Sequence, residues 1–459
     1  MFRREEIKQY WADKPLHKRV WALAWPMILS NITIPLLGLV DTAVLGHLDD
    51  ARYMGAVAIG SIIIGVTIWA CNFLRMGTTG YTSQALGRDD RPEIHAILWR
   101  SILMAQVISI TLILFRDVYA DLAFYFMDGT PEVMSLAREY YDIRIWGLPA
   151  AIANFAIVGW FLGLHNTKIP LLLLVTTNTL NMILNITFVL GLGWDVEGVA
   201  LASLISEYSS VVIGSFFIFR EFRKYPAHSA YTSVFDMSKM LQMFVTNRDI
   251  FIRTMALEAV FFYMASAGAQ MGTAILAANA VLLNFLFLIA NGLDGLAQAV
   301  EALVGKAIGA RDRYQFNAAI VVAGGWSLVM SLGYLLLFFI GGEVIIGLLT
   351  DIDTVKATAN EYLIWLVFLP INGVWSYLLD GVFIGATRAK EMRNSMLVAT
   401  VFGFIPAWLL LQSLENHGLW LAFHLFMIIK ERSFLILMLW DLVLKLLELG
   451  RVGKYPMSI

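Results

Sequence analysis

The chain has 459 residues, 59% of them apolar and 15% charged, with a mean hydropathy of +0.71 and a net charge of −2. Soluble domains average about 45–50% apolar and about 25% charged residues, so the composition excludes an ordinary soluble fold. Near-neutral charge leaves no basic body to hold nucleic acid, and the single cysteine, Cys71, excludes an intrachain disulfide or a thiolate-rich metal site.

A helical span needs about 20 mostly apolar residues to cross a hydrocarbon core about 30 Å thick. Residues 1–20 are charged and amphipathic, with no apolar core before Val20, and read as a cytoplasmic segment rather than a cleaved signal. Apolar runs then follow at 21–46, 55–80, 95–115, 139–164, 169–192 and 196–219. After a polar break come runs at 248–268, 273–299, 317–347, 360–386, 395–414 and 417–441. The sequence therefore predicts an all-α membrane protein with twelve transmembrane helices. Residues 21–219 form a first lobe, 220–247 a cytoplasmic linker, 248–441 a second lobe and 442–459 a cytoplasmic tail.

Lysine and arginine cluster at the N-terminus and in alternate loops, as at Arg88 and Arg91, Arg220 to Lys224, Lys306 to Arg313, and Arg388 to Arg393. The positive-inside rule then places both termini in the cytoplasm. The loop after the third run, with Arg116, Arg138 and Arg144, is the exception; the reading places a short interfacial helix there.

The chain also repeats itself. QALGRDDR from Gln84 returns as KAIGARDR from Lys306, and LPAAIANFAIVGWFLG from Leu148 as LPINGVWSYLLDGVFIG from Leu369. Repeats of an even number of spans share one topology and are related by a pseudo-twofold axis along the membrane normal. Such a chain suits alternating access through a central cleft, as a secondary transporter and not an enzyme. No clustered catalytic set or metal motif appears in the sequence.

Charge inside hydrocarbon is costly, so intramembrane carboxylates are functional-site candidates. Asp41 lies late in the first run, where it either exchanges a coupling proton or faces outer-leaflet water. Pro26 and Pro35 in the same run each remove a backbone donor, which either hinges or statically kinks the helix. In the fifth run Asn178, Asn181 and Asn185 share one helix face, either as a network near Asp41 or as helix–helix glue. Asn154 in the fourth run has the same two readings. In the second lobe Glu258, Asp294 and Asp380 are the acidic candidates, with pairing to Arg253 or Arg75 as the structural alternative.

Several longer stretches carry a specific resemblance. These are WPMILSNITIPLLGLVDTAVLGHL at 25–48, GTTGYTSQALGRDD at 77–90, LPAAIANFAIVGWFLGLHNTKIP at 148–170 and GVALASLISEY at 198–208. In the second half they are AILAANAVLLN at 274–284 and DGVFIGATRAKEMRNS at 380–395. Together they resemble the multidrug and toxic compound extrusion (MATE) family, in the bacterial branch named for the DNA-damage-inducible protein DinF. The resemblance implies a V-shaped, two-lobe, monomeric antiporter. It would export hydrophobic, mostly cationic small molecules against inward H⁺ or Na⁺ flow, with no cofactor.

By the same resemblance, Asp41 is the first-helix aspartate, Pro26 the proline at which that helix bends, and Asn154 the fourth-helix asparagine. Asn181 and Asn185 stand for the fifth-helix pair and Ser206 for the sixth-helix hydroxyl. Members with a clear cation site carry an aspartate where this chain has Asn185. That leaves only a weak Na⁺ possibility at Asp41 and favours proton coupling. Glu258 and Asp380 resemble the second-lobe carboxylates of the other main branch, so coupling through them stays open. A lipid or lipid-linked precursor translocase is the remaining alternative; it would favour a basic cleft, and intramembrane arginines are scarce here.

Overall fold

The computed structural model describes residues 4–45, 50–224 and 233–451, without the side chains of 32–45, Ala51 and 435–451. Every described element is helical. The long helices are α1 (Arg4–Trp11), α2 (Lys14–Leu45), α3 (Ala51–Ala70), α4 (Phe73–Gly87), α5 (Arg91–Leu114) and α6 (Arg116–Tyr125). Next come α7 (Pro131–Arg144), α8 (Leu148–Gly163), α9 (Lys168–Asn185) and α10 (Val196–Phe222). Then follow α11 (Met237–Met271), α12 (Thr273–Gly309), α13 (Arg313–Leu349), α14 (Asp353–Gly385), α15 (Ala389–Val398), α16 (Ile405–Leu411) and α17 (Glu415–Arg451).

Among the described residues, 10 helical stretches are long and apolar enough to cross a membrane. The last of these, Ala389–Phe434, breaks at a 3₁₀ turn, Gln412–Leu414, followed by Glu415 at φ 49°. Its two arms pack back on each other, the Ser395 hydroxyl donating to the Lys430 carbonyl at 2.8 Å. It therefore makes two passes, and with α2 the twelve spans read from the sequence are complete. The second span is interrupted at Cys71 and Asn72 between α3 and α4. The fourth begins earlier than its apolar run, at Pro131, and α6 is a separate short helix before it.

The chain divides into two compact units: Leu29–Phe244, the N-unit, and Met1–Ile28 with Val245–Ile459, the C-unit. Helix α2 runs unbroken through Pro26 and Pro35 and passes from one unit to the other between Ile28 and Leu29. Helix α1 docks within the C-unit on α13. There Asn317 donates to the Tyr10 hydroxyl at 3.3 Å, and Trp11 lies over Gly325. In the N-unit, the stretch before α11 is tied down and not merely a polar tether. Arg100, fully buried, pairs with Glu93 at 2.7 Å and donates to the backbone carbonyls of Ser233 and Val234. Lys239 reaches the same Glu93 at 2.7 Å.

The internal repeat is written into the closest helix contacts. On α8, Gly159 and Gly163 face α4; Cβ atoms there would lie 2.4 Å from the Arg75 carbonyl oxygen and 2.9 Å from that of Thr79. On α14, Gly381 and Gly385 face α12; Cβ atoms there would lie 2.3 Å from the carbonyl oxygens of Ala297 and Glu301. Glycines and carbonyls alike are related by one offset, 222 residues, from 159 to 381 and from 75 to 297. Small residues four apart let helix backbones touch where lipid supplies no hydrophobic drive between them.

The same offset relates the left-handed residues that close these helices. Asp89 (φ 53°) matches Arg311 (φ 56°), and His165 (φ 62°) matches Thr387 (φ 54°). It also relates the caps that open α5 and α13: Asp90 accepts from the Glu93 N–H at 3.2 Å and Asp312 from the Gln315 N–H at 3.0 Å. Gly159→Ala and Gly381→Ala should each destabilise the purified protein by about 1–3 kcal/mol through overpacking. Gly65→Ala, where nothing lies within 4 Å, should be neutral or slightly stabilising. Thermal unfolding in detergent checks all three.

Candidate functional site

Polar side chains inside the N-unit gather along one face of α10. On α9, three residues per turn and a fraction brings Asn181 and Asn185 onto one face. Both are buried, and Asn185 donates to Asn181 at 3.0 Å. Asn181 in turn donates to the Ser203 hydroxyl of α10 at 3.0 Å. Asn178, one turn earlier, is half-buried and stands outside this chain of bonds, its amide nitrogen without a partner among the described residues. Immediately after Asn185 the helix widens into a π turn, Ile186–Gly191, a local geometry often found at functional sites.

One turn along α10 from Ser203 lies Glu207. Arg144, at the end of α7, grips it with both terminal nitrogens, at 2.9 and 2.8 Å. The pair is largely buried, with side-chain exposures of 7% and 15%. Asn154 of α8 donates to the Glu207 backbone carbonyl at 3.3 Å. The fourth- and fifth-helix asparagines therefore converge on one helix face through two residues, Ser203 and Glu207. Ser206 does not join them; its hydroxyl donates to the Ala202 carbonyl of its own helix at 2.7 Å. Glu207 lies in a long apolar run and met the same intramembrane criterion as the other acids, so the sequence carried the signal. Arg144 counts among the loop cations in the sequence, although it lies inside the run 139–164.

The first helix brings less into view. Asp41 and Pro35 belong to α2, and their side chains lie outside the described residues. Pro26 is half-buried and within the helix.

In the C-unit the acidic candidates divide. Asp380 of α14 is buried, and one carboxylate oxygen, Oδ2, takes two cations: Arg253 of α11, in close contact, and Lys430 of α17 at 2.9 Å. The pairing with Arg253 is the structural alternative noted for the second-lobe acids. Lys430, which the sequence reading does not single out, lies inside the run 417–441 and is 3% exposed. Glu258, also on α11, is half-buried, with no hydrogen bond or ion pair among the described residues. Asp294 on α12 is half-buried and within electrostatic reach of Lys430 and Tyr377. The two sites therefore differ: Arg144 and Glu207 form a bidentate one-to-one pair, whereas Asp380 is shared by two cations, as Glu93 is by Arg100 and Lys239.

Among the described residues no three His, Cys, Asp or Glu side chains come together as a metal site. What these clusters offer is proton and hydrogen-bond exchange among buried side chains, where an unpaired charge is expensive. Removing one partner of a buried pair strands the other. Arg144→Met and Glu207→Met should therefore each cost about 3–5 kcal/mol. The double replacement Arg144→Met with Glu207→Met should recover most of that loss. A double-mutant cycle on thermal unfolding measures the difference.

Comparison with known proteins gives the family. The MatE family model matches residues 26–187 and 250–409, one block in each half of the chain. DNA damage-inducible protein F of Escherichia coli (strain K12) is 41% identical over 416 residues, covering 91% of this chain and 90% of that protein. A probable multidrug resistance protein NorM of Thermotoga maritima is 24% identical over 405 residues, covering 86% of this chain and 83% of that protein. A crystal structure of MATE in the bent conformation superposes with a TM-score of 0.79 at 17% identity, covering 96% of this chain and 97% of that chain. The chain belongs to the MatE family and is a multi-pass membrane transporter, not an enzyme.

Proposed function

We propose that this protein is a proton-coupled antiporter that exports hydrophobic, mostly cationic small molecules by alternating access. Protonation of Asp41 is coupled in this reading to bending of α2 near Pro26. The protein acts as a monomer in a bacterial inner membrane, with both termini in the cytoplasm and 220–247 linking its two lobes. The observation that carries the ion assignment is the Asn185–Asn181–Ser203 chain on α9 and α10. It offers amides and a hydroxyl but no second carboxylate. Oxygen ligands and formal charge hold a hard cation, whereas a single carboxyl group flanked by amides suffices to bind and release one proton. A solved relative is described as MATE in the bent conformation, and the reading of a bending α2 agrees with that. In this chain Pro26 lies inside the continuous α2, where it removes one backbone donor two residues before the unit boundary at Ile28.

The cycle then runs as follows. With Asp41 ionised, the N-unit holds a cationic substrate. A proton from outside neutralises Asp41, its hydrogen bonds to the amide face rearrange, α2 bends and the substrate leaves. The empty, protonated carrier turns inward and gives up the proton. A proton drives this only if the two states differ in affinity for it. A tenfold difference is worth about 1.4 kcal/mol.

Reconstituted into proteoliposomes under an imposed pH gradient, wild type should move a cationic fluorescent dye. Asp41→Asn should abolish that movement, and Asn185→Ala should reduce it roughly tenfold by removing one hydrogen-bond partner worth about 1.4 kcal/mol. Glu258→Gln should retain it. Loss confined to Glu258→Gln or Asp380→Asn would move the coupling site to the second lobe. A folded preparation that moves none of several dyes would turn attention to a lipid substrate.

A further inference from the structure

The C-unit contains a buried cluster that the Asp41 cycle does not use. Lys430 and Arg253 both bond Oδ2 of Asp380, while Oδ1 has no hydrogen-bond partner among the described residues. Arg253 has a matching deficit: its Nε is buried and likewise without a partner. One unused acceptor and one unused donor thus sit on two residues already in contact. A guanidinium and a carboxylate in contact reach their best geometry as a fork, with two parallel N–H···O bonds. Here that fork is half made: Arg253 and Lys430 share Oδ2, and Nε and Oδ1 stay unused.

The charged and titratable groups around Lys430 are few. Helix α11 contributes Arg253, with Glu258 one turn further on; α12 contributes Asp294; α14 contributes Asp380 and Tyr377. Arg393 of α15 is engaged with Asp249 at 2.8 Å. On α17 itself the neighbour Glu431 is half-buried, and the Phe434 ring lies 5.9 Å from the ammonium. Of the two cations on Asp380, only one can change state. Arginine stays protonated in proteins, whereas a lysine amine exchanges its proton.

We propose that Lys430 exchanges a proton during the transport cycle and that the Arg253–Asp380 contact is the two-state element that responds. With Lys430 protonated, both cations share Oδ2, as seen here. When the Nζ–H bond breaks, the electron pair stays on nitrogen and the proton passes to water. The neutral amine then releases Oδ2, and Arg253 turns its Nε onto the freed carboxylate to complete the fork. Both unused atoms are satisfied, and the cluster has lost one positive charge. This coupling site is separate from Asp41 and does not depend on it.

The test counts protons. A cationic dye is added to the full-length protein in weakly buffered detergent, and the protons released per dye bound are read with a pH indicator. Wild type is compared with Lys430→Arg, which fixes the charge, Lys430→Met, which removes it, and Asp41→Asn. Wild type should release one proton more than either Lys430 variant, and Asp41→Asn combined with Lys430→Arg should lose both contributions. Should Lys430→Arg fail to fold, Lys430→Met carries the comparison, since the fork needs no amine. Equal proton release from wild type and a folded Lys430 variant would overturn the proposal and leave Lys430 a permanent ion-pair partner. Loss in Asp41→Asn alone would uphold the first site while removing this one.

Discussion

A charge placed in hydrocarbon must be compensated, and that constraint arranges the interior of this protein. Water is absent to solvate an isolated ion, so each buried cation has to find an anion or a set of carbonyls. Arg100 finds both, in Glu93 and the backbone before α11. Arg144 finds a two-bond partner in Glu207. Arg253 and Lys430 find one carboxylate between them. These contacts join helices far apart in sequence. They fix which faces of α5, α7, α10, α11, α14 and α17 turn inward, and they leave the lipid-facing surfaces to apolar side chains.

The duplicated frame and the polar interior have different histories. Glycine-on-carbonyl contacts, left-handed helix ends and helix caps all keep the 222-residue offset, because close backbone approach and helix termination tolerate few residue types. The buried ion-pair groups do not keep it. Asp380 matches Val158. The two halves share one scaffold and carry different chemistry. In the N-unit that chemistry is an amide and hydroxyl face beside a closed ion pair. In the C-unit it is a crowded, proton-rich cluster.

Most of the fold was legible because membrane helices announce themselves by length and composition. The spans, their number and the repeat follow from apolar runs and from two short motif matches. Boundaries were less legible. Helix α11 starts at Met237, inside the stretch read as a linker, because polar residues there are held by Arg100 and Glu93 and not by lipid. The site was half legible. A period of three and four brought Asn181 and Asn185 together, but periodicity along one helix cannot say which hydroxyl of the next helix meets them, and Ser203 does so in place of Ser206. Glu207 and Lys430 show the other limit. Glu207 is a lone charge in a long apolar run and Lys430 opens a short charged cluster with Glu431 and Arg432, and each has its partner 50 or more residues away, so only the folded chain reveals what neutralises it.

The central claim is that substrate movement is exchanged for protons. The direct measurement traps a pH indicator inside proteoliposomes, in sodium-free medium with no imposed pH gradient. A cationic dye is then allowed to run down its own concentration gradient through the protein. Dye flow should drive a counter-flow of protons, seen as a pH change that needs no sodium and disappears when the protein is omitted. Dye flow that leaves the internal pH unchanged, or that begins only when sodium is supplied, would contradict the account.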